Sequence, residues 1–423
     1  MEPLGEAILV LLEDYAPAVI PTSFLLLALC FFVLALHTTG LSRYACTTIL
    51  TLFAAAAFAT CDRWPGTAAH IFGLTVLIGL LHAYNILFLE PETLPYETIR
   101  HQLTHEKSPS TSPSTKTAPS PLTSPFCRSP YLQSLRIALN PRLLNTSRET
   151  PHVRPSPVFC CRTSFLAHRL LKLTLYYLAT CYLLPLIFPG ALHPLLTDFA
   201  PSHRHLLRRM LYGLSFTLHH LLLRAVFTIL WPITSFIALD SAHTLMAILY
   251  VCVFRIDEAG DWPPLFGDVR EVTSVRAFWA RFYPRVLAEG GMNLGQGLSR
   301  GVLGLRAGSA GERTVAAGVV FALSGVVHAG VTRKVNGCGW AGDLWFFAMQ
   351  FVGGMGEMMV GRVWRVWKGE GERRKSVVVL RRGSVPPRKG WGWGDVLGYV
   401  WFGLWAFWCV PGWEFGKMEC ALR

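Results

Sequence analysis

The chain has 423 residues, of which 52% are hydrophobic and only 15% are charged. A typical soluble domain carries about 25% charged residues, so this composition excludes an ordinary soluble protein and indicates that lipid covers much of the surface. The net charge of +13 comes from basic residues that lie between apolar stretches, as in the loops of membrane proteins. Because no helix-turn-helix, zinc-finger or RNA-binding signature accompanies this charge, we expect no nucleic-acid partner.

Apolar stretches long enough to span a bilayer as helices occur along the whole chain. The sequence predicts an all-α integral membrane protein with about eight or nine transmembrane helices of about 20 residues each. The candidate spans lie near residues 17–38, 46–60, 68–89, 166–189, 209–231, 233–254, 314–332, 340–362 and 395–412. The N-terminus lacks the basic region of a cleavable signal peptide, so we expect the first span to act as an uncleaved anchor.

Residues 90–165 differ from the rest of the chain in composition. They contain a Ser-, Thr- and Pro-rich run that begins at Ser108 and lacks the apolar residues that a packed core needs. We predict a disordered cytoplasmic loop here. It divides the chain into N-terminal transmembrane helices at residues 1–89 and a larger membrane core at residues 166–423.

The loops 90–165, 255–313 and 365–394 are all rich in Lys and Arg, which favours a cytoplasmic position for each of them. This arrangement requires an even number of crossings between the first two loops, whereas three candidate spans lie there. One of the three is then a re-entrant or in-plane helix, and its His and Arg content favours 205–231. Re-entrant backbone is tolerated where it lines a cavity in the protein. The N-terminus would face the lumen.

One histidine, His328, lies inside the apolar stretch Val319–Ala329. Ionisable side chains are costly at membrane depth and usually face a cavity in which they have a function. On a helix, Ser324 and Gly325 lie one turn away on the same face, where small residues allow close helix packing or leave room for a narrow substrate channel. His328 is therefore either a general base or a structural histidine bonded to a backbone carbonyl, and both interpretations stay open.

A segment rich in Trp, Pro and Arg precedes this histidine. Its first part, Asp261–Gly267, is amphipathic and stiffened by two prolines, as expected of an interfacial loop. Its second part, Thr273–Leu287, is predicted to form a helix with Ser274 as its N-cap. Phe278 and Trp279 lie on the apolar side of that helix.

Three arginines, Arg276, Arg281 and Arg285, lie on the same predicted helix. They either bind phosphate groups or extend toward the membrane surface from an interfacial helix. The second interpretation is favoured because Arg is common at membrane boundaries.

No metal centre is predicted. The eleven cysteines are scattered without a C-x-x-C pair, which argues against a zinc site and against a disulfide framework. His219 and His220 are adjacent, but a third ligand at suitable spacing is not apparent.

The ordered motifs Trp262–Gly267, Thr273–Phe282 and Leu323–His328 resemble the wax synthase-like branch of the membrane-bound O-acyltransferases. In that branch, a W-P-x-L-F-G stretch precedes S-L-x-x-F-W-G-R-x-W-H-Q. A later F-x-x-S-G-x-x-H carries the histidine that is regarded as catalytic. The resemblance covers residues 230–410 and implies that 166–423 is an acyltransferase core.

This resemblance implies an acyl-CoA-dependent O-acyltransferase of the endoplasmic reticulum membrane, without a bound cofactor. Fungal members acetylate terpenoid or polyketide products, so the expected partners are acetyl-CoA, a hydrophobic alcohol and membrane lipid. His328 would be the general base, and Ser324 and Trp279 would be candidate donors to the oxyanion. The candidate substrate-binding residues are Phe278, Trp279, Arg281, Arg285 and Ser324.

The chain also departs from the family pattern. Tyr283-Pro284-Arg285 stands where the family has W-H-Q, and Ala329 follows the histidine where Glu is frequent. Either the first motif is mainly structural and His328 suffices, or activity is altered or absent. A catalytically impaired member with a lipid-binding role and a wax ester synthase for long-chain alcohols are the alternatives. A proton-coupled transporter is disfavoured, because no internal pseudo-symmetry is visible in the sequence.

Overall fold

The computed structural model describes residues 16–89, 130–142, 156–186, 193–213, 215, 217–367 and 392–422. All regular structure in these ranges is helical, as expected for the all-α membrane protein. The described residues form nine helices of 14 residues or more: α1 (Val19–Leu36), α2 (Gly40–Ala59), α3 (Gly66–Tyr84), α4 (Arg162–Leu178), α5 (Leu218–Ile248), α6 (Ala288–Gly301), α7 (Ala310–Asn336), α8 (Ala341–Trp367) and α9 (Trp393–Leu422).

Among the residues that the structure describes, six helical stretches are long and apolar enough to cross a membrane. They are Ala16–Leu36, Gly40–Ala59, Gly66–Leu89, Leu218–Val253, Ala310–Asn336 and Trp393–Leu422. Many large apolar side chains on these helices are exposed on the outside of the bundle, where lipid would cover them. The chain is an integral membrane protein, and the exact number of spans stays a prediction.

Two expectations about residues 205–254 are wrong. The candidate spans 209–231 and 233–254 are not two helices, because residues 218–253 of this region form one continuous helix, α5 with its extension to Val253, and Pro232 lies inside it. A helix break at this depth would leave backbone groups without partners, whereas a single proline removes only one hydrogen bond. The predicted re-entrant helix 205–231 is not one element either, because its first part forms the separate short helix Leu206–Leu211.

The predicted disordered loop is helical near its end. Residues Pro130–Ala138 form a short helix in which Ser134 bonds the His37 side chain after α1 at 2.9 Å. The Ser- and Pro-rich run from Ser108 lies outside the described residues, and the division of the chain into 1–89, 90–165 and 166–423 stays a prediction.

One face of the bundle, here called the basic face, consists of the helix ends that adjoin residues 130–142, 255–285 and 392–400. Arg136 pairs with Asp257 at 3.1 Å, and Tyr399 donates to the Val269 carbonyl at 3.3 Å. These contacts join segments that are far apart in the sequence. The loops predicted to be cytoplasmic therefore meet on one side, so far as they are described.

The opposite face, here called the disulfide face, consists of the helix ends that adjoin residues 60–66, 196–211 and 337–340. A disulfide joins Cys338, after α7, to Cys420 at the end of α9, with 5.9 Å between the Cα atoms. Lys334 pairs with Asp62 at 2.8 Å. The scattered cysteines gave no sign of this single bond, because its two residues are 82 positions apart.

We predict that Cys338→Ser lowers the stability of the protein by about 2–4 kcal/mol, because the disulfide closes a long loop of the unfolded chain. The measurement is the unfolding temperature in detergent, with and without reductant. Cys30→Ser is the control, since Cys30 is a free, exposed cysteine on α1. Equal unfolding temperatures for the parent and Cys338→Ser would contradict the prediction.

Candidate active site

Residues 274–283 leave the basic face and enter the bundle. Ser274 accepts a hydrogen bond from the Ala277 amide at 2.9 Å, so the predicted N-cap is confirmed. The helix is much shorter than the predicted Thr273–Leu287 and ends at Tyr283, whose backbone is extended. The reason is Pro284, which disfavours the helical conformation of the residue before it.

Glu357 of α8 holds the start of this segment. Its carboxylate accepts from the backbone amides of Val275 at 2.6 Å and Arg276 at 3.0 Å, and from the Trp401 indole at 2.8 Å. The first amides of a helix have no partner within the helix, and a negative charge near them is favourable. Glu357 therefore lets this helix begin inside the bundle.

Gly267 fixes the W-P-P-L-F-G stretch against the same segment. Its amide donates to the Phe282 carbonyl at 2.9 Å. A Cβ atom at this position would lie 1.9 Å from the Arg281 carbonyl oxygen, so only glycine fits. The neighbouring Phe266 packs against the Tyr283 ring with 5.7 Å between centroids.

An aromatic cluster surrounds the buried end of the segment. The Phe278 ring lies 5.1 Å from Phe402 and 6.1 Å from Trp231, measured between ring centroids. Tyr283 stacks on Trp231 at 6.4 Å. Phe278, predicted to bind substrate, is thus fully occupied with packing, and Tyr283 fills the position of the missing family tryptophan with another aromatic ring.

Trp279 and His328 both contact one aromatic ring, that of Phe347 on α8. The ring centroids are 5.9 Å apart for Trp279 and 4.9 Å apart for His328. Gly325 lies beside the same side chain, since a Cβ atom there would lie 3.4 Å from the Phe347 Cβ atom. The structure therefore brings two of the predicted site residues to one ring.

The His328 imidazole forms no hydrogen bond with any described residue. The hydrogen bond to a backbone carbonyl that is expected of a structural histidine is thus not found among the described residues. The ring lies in the interior against Phe347, one turn from the small residues Ser324 and Gly325. This environment suits a base that must accept a proton from a substrate.

The two candidate oxyanion donors already have partners. The buried Ser324 hydroxyl donates to the Val320 carbonyl at 2.8 Å. The Trp279 indole donates to the Gln350 side-chain oxygen at 3.2 Å. Neither group offers a free N–H or O–H in this arrangement.

The three arginines do not converge on His328. Arg276 and Arg281 are exposed, and Arg285 is partly buried. Burial lowers the pKa of the Arg285 guanidinium, and the Glu289 carboxylate opposes this effect. Phosphate binding by Arg281 or Arg285 stays a prediction.

A polar group that sequence analysis did not identify lies between α8 and α9. The Asp343 carboxylate is fully buried, accepts from the Trp413 indole at 2.7 Å and pairs with the Lys417 ammonium at 2.9 Å. Charges on Asp343 and Lys417 act on His328. Their signal in the sequence is the same as that of His328, namely ionisable residues in or beside apolar spans.

His219 and His220 form another contact. Both imidazoles lie near the Asp198 carboxylate, at 3.0 Å and 3.4 Å. No set of three or more His, Cys, Asp or Glu side chains within the described ranges is arranged to hold a metal ion.

Residues 262–349 match the family described as the membrane bound O-acyl transferase family. The match contains the Trp279 segment, Ser324 and His328, and so confirms the resemblance of the motifs. No solved structure matches the chain significantly.

Three acetyltransferases illustrate the similarity to known proteins. The acetyltransferase fsoF of Humicola fuscoatra is 30% identical over 197 residues, which cover 45% of this chain and 43% of the relative. The acetyltransferase ple2 of Rhodocybe pseudopiperita is 32% identical, over 37% of each chain. The acetyltransferase ataH of Aspergillus terreus is 30% identical, over 36% of this chain and 44% of the relative. The chain thus matches less than half the length of these relatives.

We predict that Glu357→Gln lowers the stability of the protein by about 1–3 kcal/mol, because charged hydrogen bonds to two amides and one indole are weakened. The unfolding temperature in detergent measures the effect. Glu271→Gln changes a carboxylate four residues before Val275 and keeps the Glu357 hydrogen bonds in place, so it is the control and should leave the temperature unchanged. An unchanged temperature for Glu357→Gln would show that the carboxylate does not hold the segment.

Proposed function

We propose that the chain transfers an acyl group, in the simplest case acetyl, from acyl-CoA to a hydroxyl group on a hydrophobic acceptor. The observation that carries this proposal is the approach of Trp279 and His328 to the same Phe347 ring within the family segment. The names of the three relatives favour acetyl-CoA as the donor.

The surroundings of His328 favour an apolar acceptor. Phe347 borders the imidazole, Trp279 contacts the same Phe347 ring, and Phe321 packs on the Trp279 indole at 5.9 Å between centroids. Sites of this composition bind ligands with large apolar surfaces. A hydroxylated terpenoid or polyketide that partitions into lipid fits this environment, and membrane lipid would deliver it.

In the proposed reaction, the acceptor oxygen attacks the thioester carbonyl carbon of acyl-CoA while neutral His328 takes the hydroxyl proton. The new C–O bond gives a tetrahedral oxyanion. Its collapse breaks the C–S bond, and the imidazolium returns the proton to the departing CoA thiolate. The products are an ester and free CoA, so no covalent intermediate with the protein is required.

We assign the basic face to the cytoplasm, where acyl-CoA is dissolved. Arg276 and Arg281 are exposed and available to the CoA phosphates. The disulfide between Cys338 and Cys420 on the opposite face is typical of an oxidising compartment such as the endoplasmic reticulum lumen. This orientation agrees with the distribution of basic loops, and it supports location in the endoplasmic reticulum membrane.

One alternative rests on a specific observation. Tyr283-Pro284-Arg285 replaces the polar W-H-Q of the family, and Tyr283 serves in aromatic packing against Trp279 at 5.0 Å between centroids. A member that lost activity but kept a lipid-binding role would show this pattern. A wax ester synthase for long-chain alcohols would use the same chemistry with different substrates.

We predict that His328→Ala lowers ester formation by at least about 100-fold, the usual contribution of a general base. Microsomes that contain the parent or the variant at equal protein level receive labelled acetyl-CoA or labelled palmitoyl-CoA with a sesquiterpene alcohol, a hydroxylated polyketide or hexadecanol. The labelled ester is quantified.

The control is His193→Ala, because His193 is exposed on the disulfide face and should not affect the rate. Equal ester formation by the parent and His328→Ala would remove His328 from the mechanism. Ester formed only from palmitoyl-CoA and hexadecanol would establish the wax ester alternative. If a folded parent gives no ester with any pair, the result supports the impaired family member.

A further inference from the structure

The proposed reaction needs a hydrogen-bond donor for its oxyanion, and neither of the two predicted donors is free to act as one. A tetrahedral intermediate of acyl transfer needs a cation or N–H donor aimed at its oxygen, and such groups contribute strongly in a water-poor site. Ser324 and Trp279 are both engaged with other acceptors. A different group must therefore stabilise the negative charge.

The positions along α7 and α8 bring Asp343 to the level of His328. Gly325 faces Leu344, because a Cβ atom at residue 325 would lie 3.5 Å from the Leu344 Cα atom. The two helices are joined by residues 337–340 and run in opposite directions. His328 is therefore about 4.5 Å nearer to this connection along α7 than Gly325 is. Asp343 is likewise about 1.5 Å nearer to it along α8 than Leu344 is.

Lys417 extends from the disulfide face to the same level. A Cβ atom on Gly339 would lie 3.5 Å from the Lys417 Cα atom, so the lysine begins beside the connection between α7 and α8. Its ammonium lies 2.9 Å from Asp343 and 4.0 Å from the centre of the Trp413 ring. The side chain thus leans toward the N-terminal end of α9, as helical side chains do, and carries its charge toward His328.

We propose that the Lys417 ammonium is the catalytic group that stabilises the oxyanion formed beside His328, an inference that rests on the proposed acyl transfer. An ammonium has three N–H donors, and Asp343 and Trp413 leave at least one of them for a substrate oxygen. The acyl carbonyl would lie between His328 and Lys417. The ammonium keeps its proton throughout the reaction, and the only proton that moves passes through His328.

Asp343 and Trp413 are positioning residues in this scheme. The carboxylate holds the ammonium, and the indole N–H holds the carboxylate. Two further titratable groups belong to the same environment, since His70 interacts electrostatically with His328 and Glu414 with Lys417. A fixed ion pair close to the reacting atoms needs little rearrangement when charge develops.

The test compares steady-state kinetics of purified Lys417→Met, Lys417→Arg and the double variant Asp343→Asn, Lys417→Met with the parent. Labelled acetyl-CoA and the alcohol that the parent acetylates fastest are the substrates. We expect kcat to fall about 10²–10³-fold in both Met variants, with KM for acetyl-CoA within about twofold. Lys417→Arg keeps the charge and should retain a kcat well above that of Lys417→Met.

The double variant guards against misfolding, because it removes both members of the buried ion pair and does not leave the Asp343 carboxylate without the Lys417 ammonium. The matched control is Lys334→Met, which removes a partly exposed ion pair with Asp62 on the same face and should keep the parental kcat. A folded double variant with a kcat within threefold of the parent would overturn the role of Lys417 while leaving the acyl transfer intact. A parent that forms no ester overturns the proposed function and, with it, this role.

Discussion

The carboxylate of Glu357 supports the arrangement on which the site depends. It accepts hydrogen bonds from two backbone amides at the start of a short helix inside a membrane bundle. An amide without a hydrogen-bond partner would be costly there. Only with these amides satisfied does the Trp-, Pro- and Arg-rich segment pass between α5, α8 and α9. Trp279 then reaches Phe347, and the basic face becomes connected to the surroundings of His328.

Several charged and polar groups inside the bundle form hydrogen bonds that connect distant parts of the chain. The Tyr176 hydroxyl bonds the buried Asp240 carboxylate at 2.6 Å, and Arg224 donates to backbone carbonyls before α5 and within α9. Each of these interactions joins two helices and satisfies groups that lipid cannot. The His328 imidazole forms no hydrogen bond within the described ranges, and it shares this feature with the buried Nδ1 atom of His243. The proposed chemical role of His328 therefore rests on its place in the matched segment and on its approach to Phe347.

Local signals in the sequence predicted local features well. The apolar composition indicated a helical membrane protein, and Ser274 indicated an N-cap. The end of the helix that Ser274 caps was predicted too late, because the effect of Pro284 on the residue before it was underestimated. Contacts between distant residues were not predictable in the same way. The partners of Glu357, Asp343 and Lys417 were not apparent, because helix packing decides which polar residues meet. The helix also continues through Pro232, although proline favours a helix break. A break inside lipid would leave backbone groups without hydrogen bonds, and this cost is larger than that of one proline.

The most direct test of this arrangement is the rate at which a membrane-impermeant maleimide modifies Ala277→Cys compared with Arg276→Cys, followed at the modified residue by mass spectrometry. Ala277 is buried at 9% exposure, whereas its neighbour Arg276 is exposed, so cysteine at residue 277 should react at least about tenfold more slowly. Adding Glu357→Gln should remove this protection. Equal rates at both positions would show that the segment lies on the membrane surface, and would contradict the account.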